Sequence, residues 1–312
     1  MWDFDTFKTL AAMRATFPFI LFRLLIYIGI GLAYALGIGT GAGLGYAFTA
    51  FAGDPGSGAG IGGILGFGAV SGVLYWAREY LLYLVKAGHI AVLVKVLQGE
   101  TLPGGKGQID YAQGIVRQRF AEASSLFLLD QIVKGVLRAV NGLLMTISFL
   151  LPIPALEGLM RMVQRVLNLS LTYVDEIILA YSLRTESTNP WAAGKDGLIL
   201  YAQNYKAMLK NAFFLMIIQY GLALLIFLLI LGPVAVLVGF ISQGLAPWAV
   251  PVAIVFAWSF KAALLEPFAV AALMQAYFKL IEGQRPNPEW DEKLSRLSSQ
   301  FRELKEKALG AG

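Results

Sequence analysis

Residues 211–260 read NAFFLMIIQYGLALLIFLLILGPVAVLVGFISQGLAPWAVPVAIVFAWSF, a run of fifty residues without one charged side chain. A helix crosses the hydrocarbon core of a bilayer with about 20 consecutive apolar residues. The run is therefore long enough for two membrane-spanning helices and must be divided between them. Gly232-Pro233 and the stretch from Pro247 to Pro251 are the candidate positions for that division, because proline removes a backbone hydrogen bond from a helix.

Two further charge-free runs, Leu24 to Gly53 and Pro55 to Ala77, extend this pattern to the N-terminal part of the chain. Only 14% of the 312 residues are charged, against about 25% in a typical soluble domain. The sequence thus predicts an all-α integral membrane protein. No basic stretch with a small-residue cleavage site opens the chain, so we expect the first span to be retained.

Lysine and arginine are absent from the longest apolar runs and concentrated between them. Loops rich in these residues stay on the cytoplasmic side of a membrane. We therefore expect both termini to be cytoplasmic, with Lys8, Arg14 and Arg23 on that side, and the turns near Asp54 and Gly244 to face outward. This distribution predicts a multi-pass protein of the plasma membrane, which in a bacterium is the inner membrane. It does not indicate nucleic-acid binding, since the bases are not interleaved with aromatic residues.

Short similarities along the chain indicate an internal repeat. Tyr-Ala-Gln occurs at residues 111–113 and again at 201–203, each time at the start of a basic helical stretch, and similar loops end at Pro103, Pro190 and Pro286. We therefore expect four segments. Residues 1–103 form a first hairpin unit, and residues 104–190 form a second hairpin unit with charged helices. Residues 191–286 form a third hairpin unit, and residues 287–312 form a cytoplasmic amphipathic helix.

The first and third units read as plain pairs of membrane helices. Helices are expected at residues 18–46 and 59–98 in the first unit, and at 197–240 and 249–282 in the third. In the C-terminal segment, an apolar stripe at three- and four-residue spacing predicts one helix that docks on the protein itself, with a partner helix as the alternative. The residues of this stripe are Leu294, Leu297, Phe301 and Leu304.

The second unit allows two interpretations. Its apolar stretch, residues 139–156, has charged residues at four-residue spacing on both sides. Such spacing places each set on one face of a helix. The residues are Asp130, Lys134 and Arg138 before the stretch and Glu157, Arg161 and Arg165 after it. If the unit spans the membrane, the protein has six spans and its arginines must face water or the bundle interior. If it lies on the cytoplasmic leaflet as an amphipathic hairpin, the protein has four spans and these arginines contact anionic lipid.

A basic residue stands twenty-five positions before each repeat proline, at Arg78, Arg165 and Lys261. Three cations at one depth around a common axis would form an anion-binding site. The alternative interpretation of Arg78 is that its long side chain simply anchors the helix at the membrane interface. Glu266 precedes Pro267, which frees a backbone carbonyl one turn back. This carboxylate either binds a proton or cation, or neutralises Lys261 or a neighbouring arginine.

Glycines at four-residue spacing form two small-residue faces in the first unit, and such faces let membrane helices approach closely. They are Gly37, Gly41 and Gly45 on the first helix and Gly58, Gly62 and Gly66 on the second. We expect the two faces to meet within the chain, with a contact between subunits of a homo-oligomer as the alternative.

The other polar residues do not indicate an enzyme, a cofactor or a metal site. The only histidine, His89, is expected to be packed in an apolar helix. Asp175 and Glu176 are adjacent and should point about 100° apart on a helix, which argues against an acid–base pair. We expect basic residues from the neighbouring units to pair with them. Cysteine is absent, which excludes disulfides and thiolate sites.

Intramembrane basic charge makes a membrane transport protein the leading interpretation, as a channel or carrier for a small anion or anionic metabolite. The path would be lined by Arg138, Arg161, Arg165, Lys261, Glu266 and Arg78. The alternative is a non-transporting scaffold or lipid-binding subunit of an envelope complex. Its partner would be anionic membrane lipid on the cytoplasmic side.

Overall fold

The computed structural model describes residues 2–102, 107–119, 128–139, 171–241 and 249–310. Within these ranges the chain is helical apart from turns and helix caps, and they contain no β-strand. The all-α class predicted from the hydropathy pattern is confirmed.

Eleven helices and one π-helical turn are labelled here in chain order. The N-terminal half holds α1 (Thr6–Ala15), α2 (Phe17–Ala50), α3 (Pro55–Leu97) and α4 (Gly107–Arg119), and residues 128–139 are also helical. The C-terminal half holds α5 (Val174–Arg184), α6 (Pro190–Gln203), α7 (Tyr205–Ile241), α8 (Ala249–Phe260), the π turn (Lys261–Leu265), α9 (Glu266–Leu280), α10 (Pro288–Leu297) and α11 (Ser299–Gly310).

Four helical stretches are long and apolar enough to cross a membrane, namely Phe17–Ala50, Gly56–Leu74, Tyr205–Leu237 and Ala249–Leu280. They support a membrane-spanning protein. The choice between six and four spans depends on residues 140–170, which contain Arg161 and Arg165 and lie outside the described residues. The number of spans and the repeat therefore stay predictions.

The chain divides into two compact units. We call Ile20–Val85 with Tyr220–Glu266 the apolar unit, and Met1–Phe19, Lys86–Gln219 and Pro267–Gly312 the charged unit. The sequence of the apolar unit contains only six charged residues, which are Arg23, Asp54, Arg78, Glu79, Lys261 and Glu266. Large apolar side chains are exposed on it, among them Phe48, Phe51, Leu229 and Phe240. Such a surface matches hydrocarbon, since soluble monomers rarely expose apolar patches of this kind.

Helix bounds in the first unit lie close to those predicted, whereas the helix predicted over residues 197–240 is divided at Asn204 between α6 and α7. α2 and α3 flank a turn in which Gly53 has a positive φ of 81°, and Asp54 Oδ1 accepts a hydrogen bond from the N–H of Ser57 at 3.2 Å. α7 continues through Pro233, in agreement with the helix predicted over residues 197–240, so of the two candidate positions Gly232-Pro233 does not divide the run. Membrane helices tolerate proline where neighbouring groups satisfy the freed carbonyl. α7 ends at Ile241 and α8 begins at Ala249, and the predicted turn at Gly244 lies outside the described residues.

The C-terminal segment forms two helices instead of the single predicted one. They are separated at Ser298, whose backbone is extended (φ −138°, ψ 125°) and whose Oγ accepts a hydrogen bond from the N–H of Phe301 at 3.2 Å, which caps α11. Leu294, Phe301 and Leu304 are buried, and α11 packs on α6. Leu297 is exposed because the break at the next residue turns it away from the stripe.

The two glycine faces of α2 and α3 meet inside the apolar unit. A Cβ atom on Gly41 would overlap the carbonyl oxygen of Gly62, and a Cβ atom on Gly45 would overlap that of Gly58. At the next level a Cβ atom on Gly37 would lie 3.1 Å from the carbonyl oxygen of Gly66. The helix backbones touch here, so any side chain larger than hydrogen would push them apart.

Candidate functional site

Three charged side chains cluster in the apolar unit, and we call Arg23, Lys261 and Glu266 the intramembrane cluster. Lys261 Nζ lies 3.2 Å from Glu266 Oε1, and Arg23 Nη2 lies 3.6 Å from Glu266 Oε2. Each carboxylate oxygen therefore faces one base. The cluster joins the N-terminal part of α2 to the junction between α8 and α9.

The backbone at this junction explains how a pair five residues apart can meet. On an α-helix, side chains five residues apart are separated by about 140°. The π turn Lys261–Leu265 has hydrogen bonds from residue i+5 to residue i, including that from the N–H of Glu266 to the carbonyl of Lys261. This wider turn brings the ammonium of Lys261 and the carboxylate of Glu266 to the same side.

Pro267 accounts for the position of Arg23. In the π register, the next hydrogen bond would run from the nitrogen of residue 267 to the carbonyl of Ala262, and proline has no N–H to make it. Arg23 Nη2 donates to that carbonyl oxygen at 2.8 Å instead. The freed carbonyl predicted beside Pro267 is thus bound by a side chain of α2.

Arg23 is only 5% exposed, and within the described part of the chain its Nε–H has no hydrogen-bond acceptor. Among the described side chains, two bases and one acid leave the intramembrane cluster with one surplus positive charge. A buried donor without a partner and an uncompensated cation both cost free energy in an apolar environment. An anion placed next to Arg23 and Lys261 would offset both costs.

The surrounding residues fix this cluster in place. Ser259 Oγ donates to the carbonyl of Tyr27 at 3.2 Å, and the rings of Tyr27 and Trp258 meet edge to face at 5.6 Å. Tyr27 also packs against Ala262 and Ala263, which are buried. The contact between α2 and α8 is therefore both apolar and hydrogen-bonded.

The predicted site residues are only partly brought together. Lys261 and Glu266 lie side by side, whereas Arg138 belongs to the charged unit, is exposed and donates from Nε to the carbonyl of Lys134 at 3.3 Å. Arg78 lies on α3, but its side chain is outside the described residues, as are Arg161 and Arg165. The ring of cations at one depth stays a prediction.

Sequence reasoning missed Arg23 as a site residue. It stands one position before the charge-free run from Leu24, which made it look like an ordinary cytoplasmic anchor. The available signal was the pairing that Glu266 would need in an apolar segment, and Arg23 is a base on another apolar helix.

A second group of charges lies in the charged unit, and we call Lys86, Asp130, Lys134, Asp175 and Glu176 the carboxylate cluster. Lys86 Nζ is 3.2 Å from Glu176 Oε1. Lys134 Nζ is 2.7 Å from Asp130 Oδ2 and 3.6 Å from Asp175 Oδ2. The predicted pairing with basic residues is present, with Lys86 supplied by the first predicted unit.

Asp175 and Glu176 pair with different lysines, yet their carboxyl groups also interact with each other. Asp130 and Asp175 share Lys134, which brings these two carboxyl groups together, whereas Glu176 pairs with Lys86. Burial, and then the charge of Glu176, raise the pKa of Asp175 well above its usual range. Burial also acts to raise the pKa of Glu176, but Lys86 and the hydrogen bond that Glu176 accepts from Asp175 outweigh it, so this pKa is lowered.

His89 is packed as predicted. Its side chain is buried, its ring stacks on Phe19 at 5.3 Å between centroids, and its Nε2 lies 3.0 Å from Thr16 Oγ1. Across the described ranges, the acidic and histidine side chains form no group suited to a metal ion.

Comparison of the chain with protein-family models, curated proteins and solved structures finds no match.

Proposed function

We propose that the protein is a membrane transport protein, a channel or carrier, for a small anion or an anionic metabolite. The observation that carries the proposal is the surplus positive charge of the intramembrane cluster, together with the unpartnered Nε–H of Arg23. Charged residues within apolar spans are costly and typically mark substrate pathways. The sign of the surplus favours a negatively charged solute.

The geometry gives Arg23 and Lys261 different tasks. Arg23 is held by Glu266 and by the carbonyl of Ala262, so it offers a fixed, partly satisfied guanidinium. The Lys261 side chain is 30% exposed, and its ammonium can turn towards an incoming solute while Glu266 stays paired with Arg23. Lys261 is therefore the residue whose charge the transported anion meets.

Uptake into proteoliposomes tests this role. The full chain is reconstituted, and influx of labelled chloride, nitrate, phosphate, acetate and succinate is measured. Lys261→Gln removes the surplus charge while leaving the Arg23–Glu266 pair, and we expect it to lower influx of the transported anion at least about ten-fold. A hydrogen bond to a charged group contributes roughly 1.5–3 kcal/mol, and each 1.4 kcal/mol is about ten-fold.

Two control variants accompany this measurement. Lys261→Arg retains the charge and should retain most of the influx. Lys206→Gln removes an exposed lysine from the charged unit and should leave influx unchanged. Equal influx in the wild type and in Lys261→Gln would overturn the role of Lys261.

One observation favours the non-transporting, lipid-binding alternative. On α1, Phe7 and Leu10 are exposed apolar side chains, and Lys8 and Arg14 are exposed cations. A helix with this composition suits the interface of an anionic leaflet. If the protein is only a scaffold, it binds vesicles containing phosphatidylglycerol in a salt-sensitive way and moves none of the five anions.

We propose that the distribution of basic residues sets the topology of the protein in the plasma membrane, with both termini on the cytoplasmic side. The chain has no cysteine, so Ser57→Cys in the first turn of α3 can be labelled without background. An impermeant thiol reagent added outside intact cells should label it, whereas it should not label Glu303→Cys in α11.

A further inference from the structure

The carboxylate cluster is assembled from three separate helical segments of the charged unit. α3 supplies Lys86, the segment 128–139 supplies Asp130 and Lys134, and α5 supplies Asp175 and Glu176. The side chains of the acids are 6%, 10% and 7% exposed, in that order. These groups are therefore removed from water even though they are not in an apolar span.

The charges of this cluster do not balance. Three ionised carboxylates face two ammonium groups, which leaves one negative charge in a buried site. Among the residues that the structure describes, the other neighbouring groups do not supply the missing positive charge. Lys195 on α6, which packs against α5, pairs with Asp196 at 3.2 Å, and Gln131 donates to Asp130 Oδ2 at 3.3 Å but is neutral.

We locate the excess negative charge of the cluster at one oxygen atom of Glu176. Glu176 Oε1 accepts from Lys86, whereas Oε2 is buried and has no hydrogen-bond partner among the described residues. The Asp175 carboxyl interacts with the carboxyl group of Glu176. Two ionised carboxylates cannot form a hydrogen bond because neither has a donor, so this contact is favourable only when one of them carries a proton.

We propose that Asp130, Asp175 and Glu176 form a proton-binding site that holds one proton between the carboxyl group of Asp175 and Glu176 Oε2. When the proton binds, an O–H bond forms on Asp175 and the hydrogen is donated to Glu176 Oε2, with water giving up the proton. When it leaves, the proton returns to water and the cluster regains its negative charge. The site is separate from the intramembrane cluster and does not rest on the proposed anion transport.

The electrostatics of the cluster agree with this assignment. Burial and the neighbouring Glu176 raise the pKa of Asp175 well above its usual range, while Lys86 and the hydrogen bond from Asp175 keep the pKa of Glu176 below its usual value despite burial. Paired carboxyl groups that share a proton show this divergence. Asp175 is the member that carries the proton, and Glu176 is the acceptor.

The sign of the pH dependence follows from the raised pKa of Asp175. The folded state binds this proton more tightly than the unfolded chain, so the stabilisation is complete below the ordinary aspartate range and is lost as pH rises through the folded-state pKa. Wild-type protein should therefore be less stable in alkaline than in mildly acidic buffer. Asp175→Asn, which carries a permanent N–H donor, should lose this part of the dependence.

Infrared spectroscopy of the full-length protein in lipid tests the proposal directly. At neutral pH the wild type should show the C=O stretch of one buried protonated carboxyl group, which shifts in D2O, and Asp175→Asn should abolish it. Asp54→Asn is the matched control, since Asp54 is exposed and its hydrogen bonds to Ser57 lower its pKa. It should leave the band unchanged.

A second variant keeps the test decisive if Asp175→Asn does not fold. Lys134→Met removes a neighbouring positive charge and should keep the band to a more alkaline pH than in the wild type. Absence of the band from wild-type protein at neutral pH, its persistence in Asp175→Asn, or its loss at a lower pH in Lys134→Met would each overturn the proposal. A failure of anion uptake would not affect it.

Discussion

Replacing Glu266 with glutamine is expected to lower the free energy of unfolding by about 3–5 kcal/mol, the cost of removing one partner from a buried ion pair. Glu266 is the only acid that the structure places against Arg23 and Lys261 among the residues it describes. Without the carboxylate, two positive charges remain close together in the apolar unit. Arg23 keeps its hydrogen bond to Ala262, but that contact carries no negative charge.

The measurement is unfolding of the purified protein in mild detergent by titration with a denaturing detergent. Glu292→Gln is the matched control, because Glu292 forms an exposed pair with Arg296 on α10, and such pairs contribute only about 0.3–0.5 kcal/mol. Adding Lys261→Met to Glu266→Gln should recover part of the loss. A Glu266→Gln variant as stable as Glu292→Gln would show that the cluster does not hold α2 against the α8–α9 junction.

Replacing Gly41 with alanine should also destabilise the protein, by about 1–3 kcal/mol, the usual range for overpacking a close contact. The new methyl group would overlap the carbonyl oxygen of Gly62. Backbone cannot move aside as a flexible side chain can, so α2 and α3 would have to separate along the whole glycine contact.

Gly43→Ala on the same helix provides the comparison, because nothing lies within 4 Å of its added Cβ atom. It should be neutral or slightly stabilising, since alanine favours helix more than glycine does. The same detergent titration compares the two variants. Equal stability of Gly41→Ala and Gly43→Ala would mean that the two helices do not pack through these glycines.

Local patterns in the sequence predict much of this structure. The charge-free runs indicate where α2, α3, α7 and α8 lie, since the bilayer sets the length of an apolar span, although α3 continues twenty residues beyond its run. The four-residue spacing of glycine predicts which faces of α2 and α3 meet. In both cases the information lies within one helix or in two consecutive helices.

Features that depend on contacts between distant segments were not predictable in the same way. Arg23 meets Glu266 across 243 positions of the sequence, and its location beside an apolar run is equally typical of an interfacial anchor. Asp130 and Asp175 converge from two helices, which no spacing within either helix indicates. The break at Ser298 was missed because the apolar stripe continues across it, while only the serine cap marks the start of a new helix.

The most direct measurement of the central claim is ion influx into proteoliposomes that contain the wild-type protein, compared with protein-free vesicles. At least one of the five anions should enter faster than in the protein-free vesicles, while sodium and potassium should not. Influx of a cation, or of none of these ions, would contradict an anion pathway built around Arg23 and Lys261.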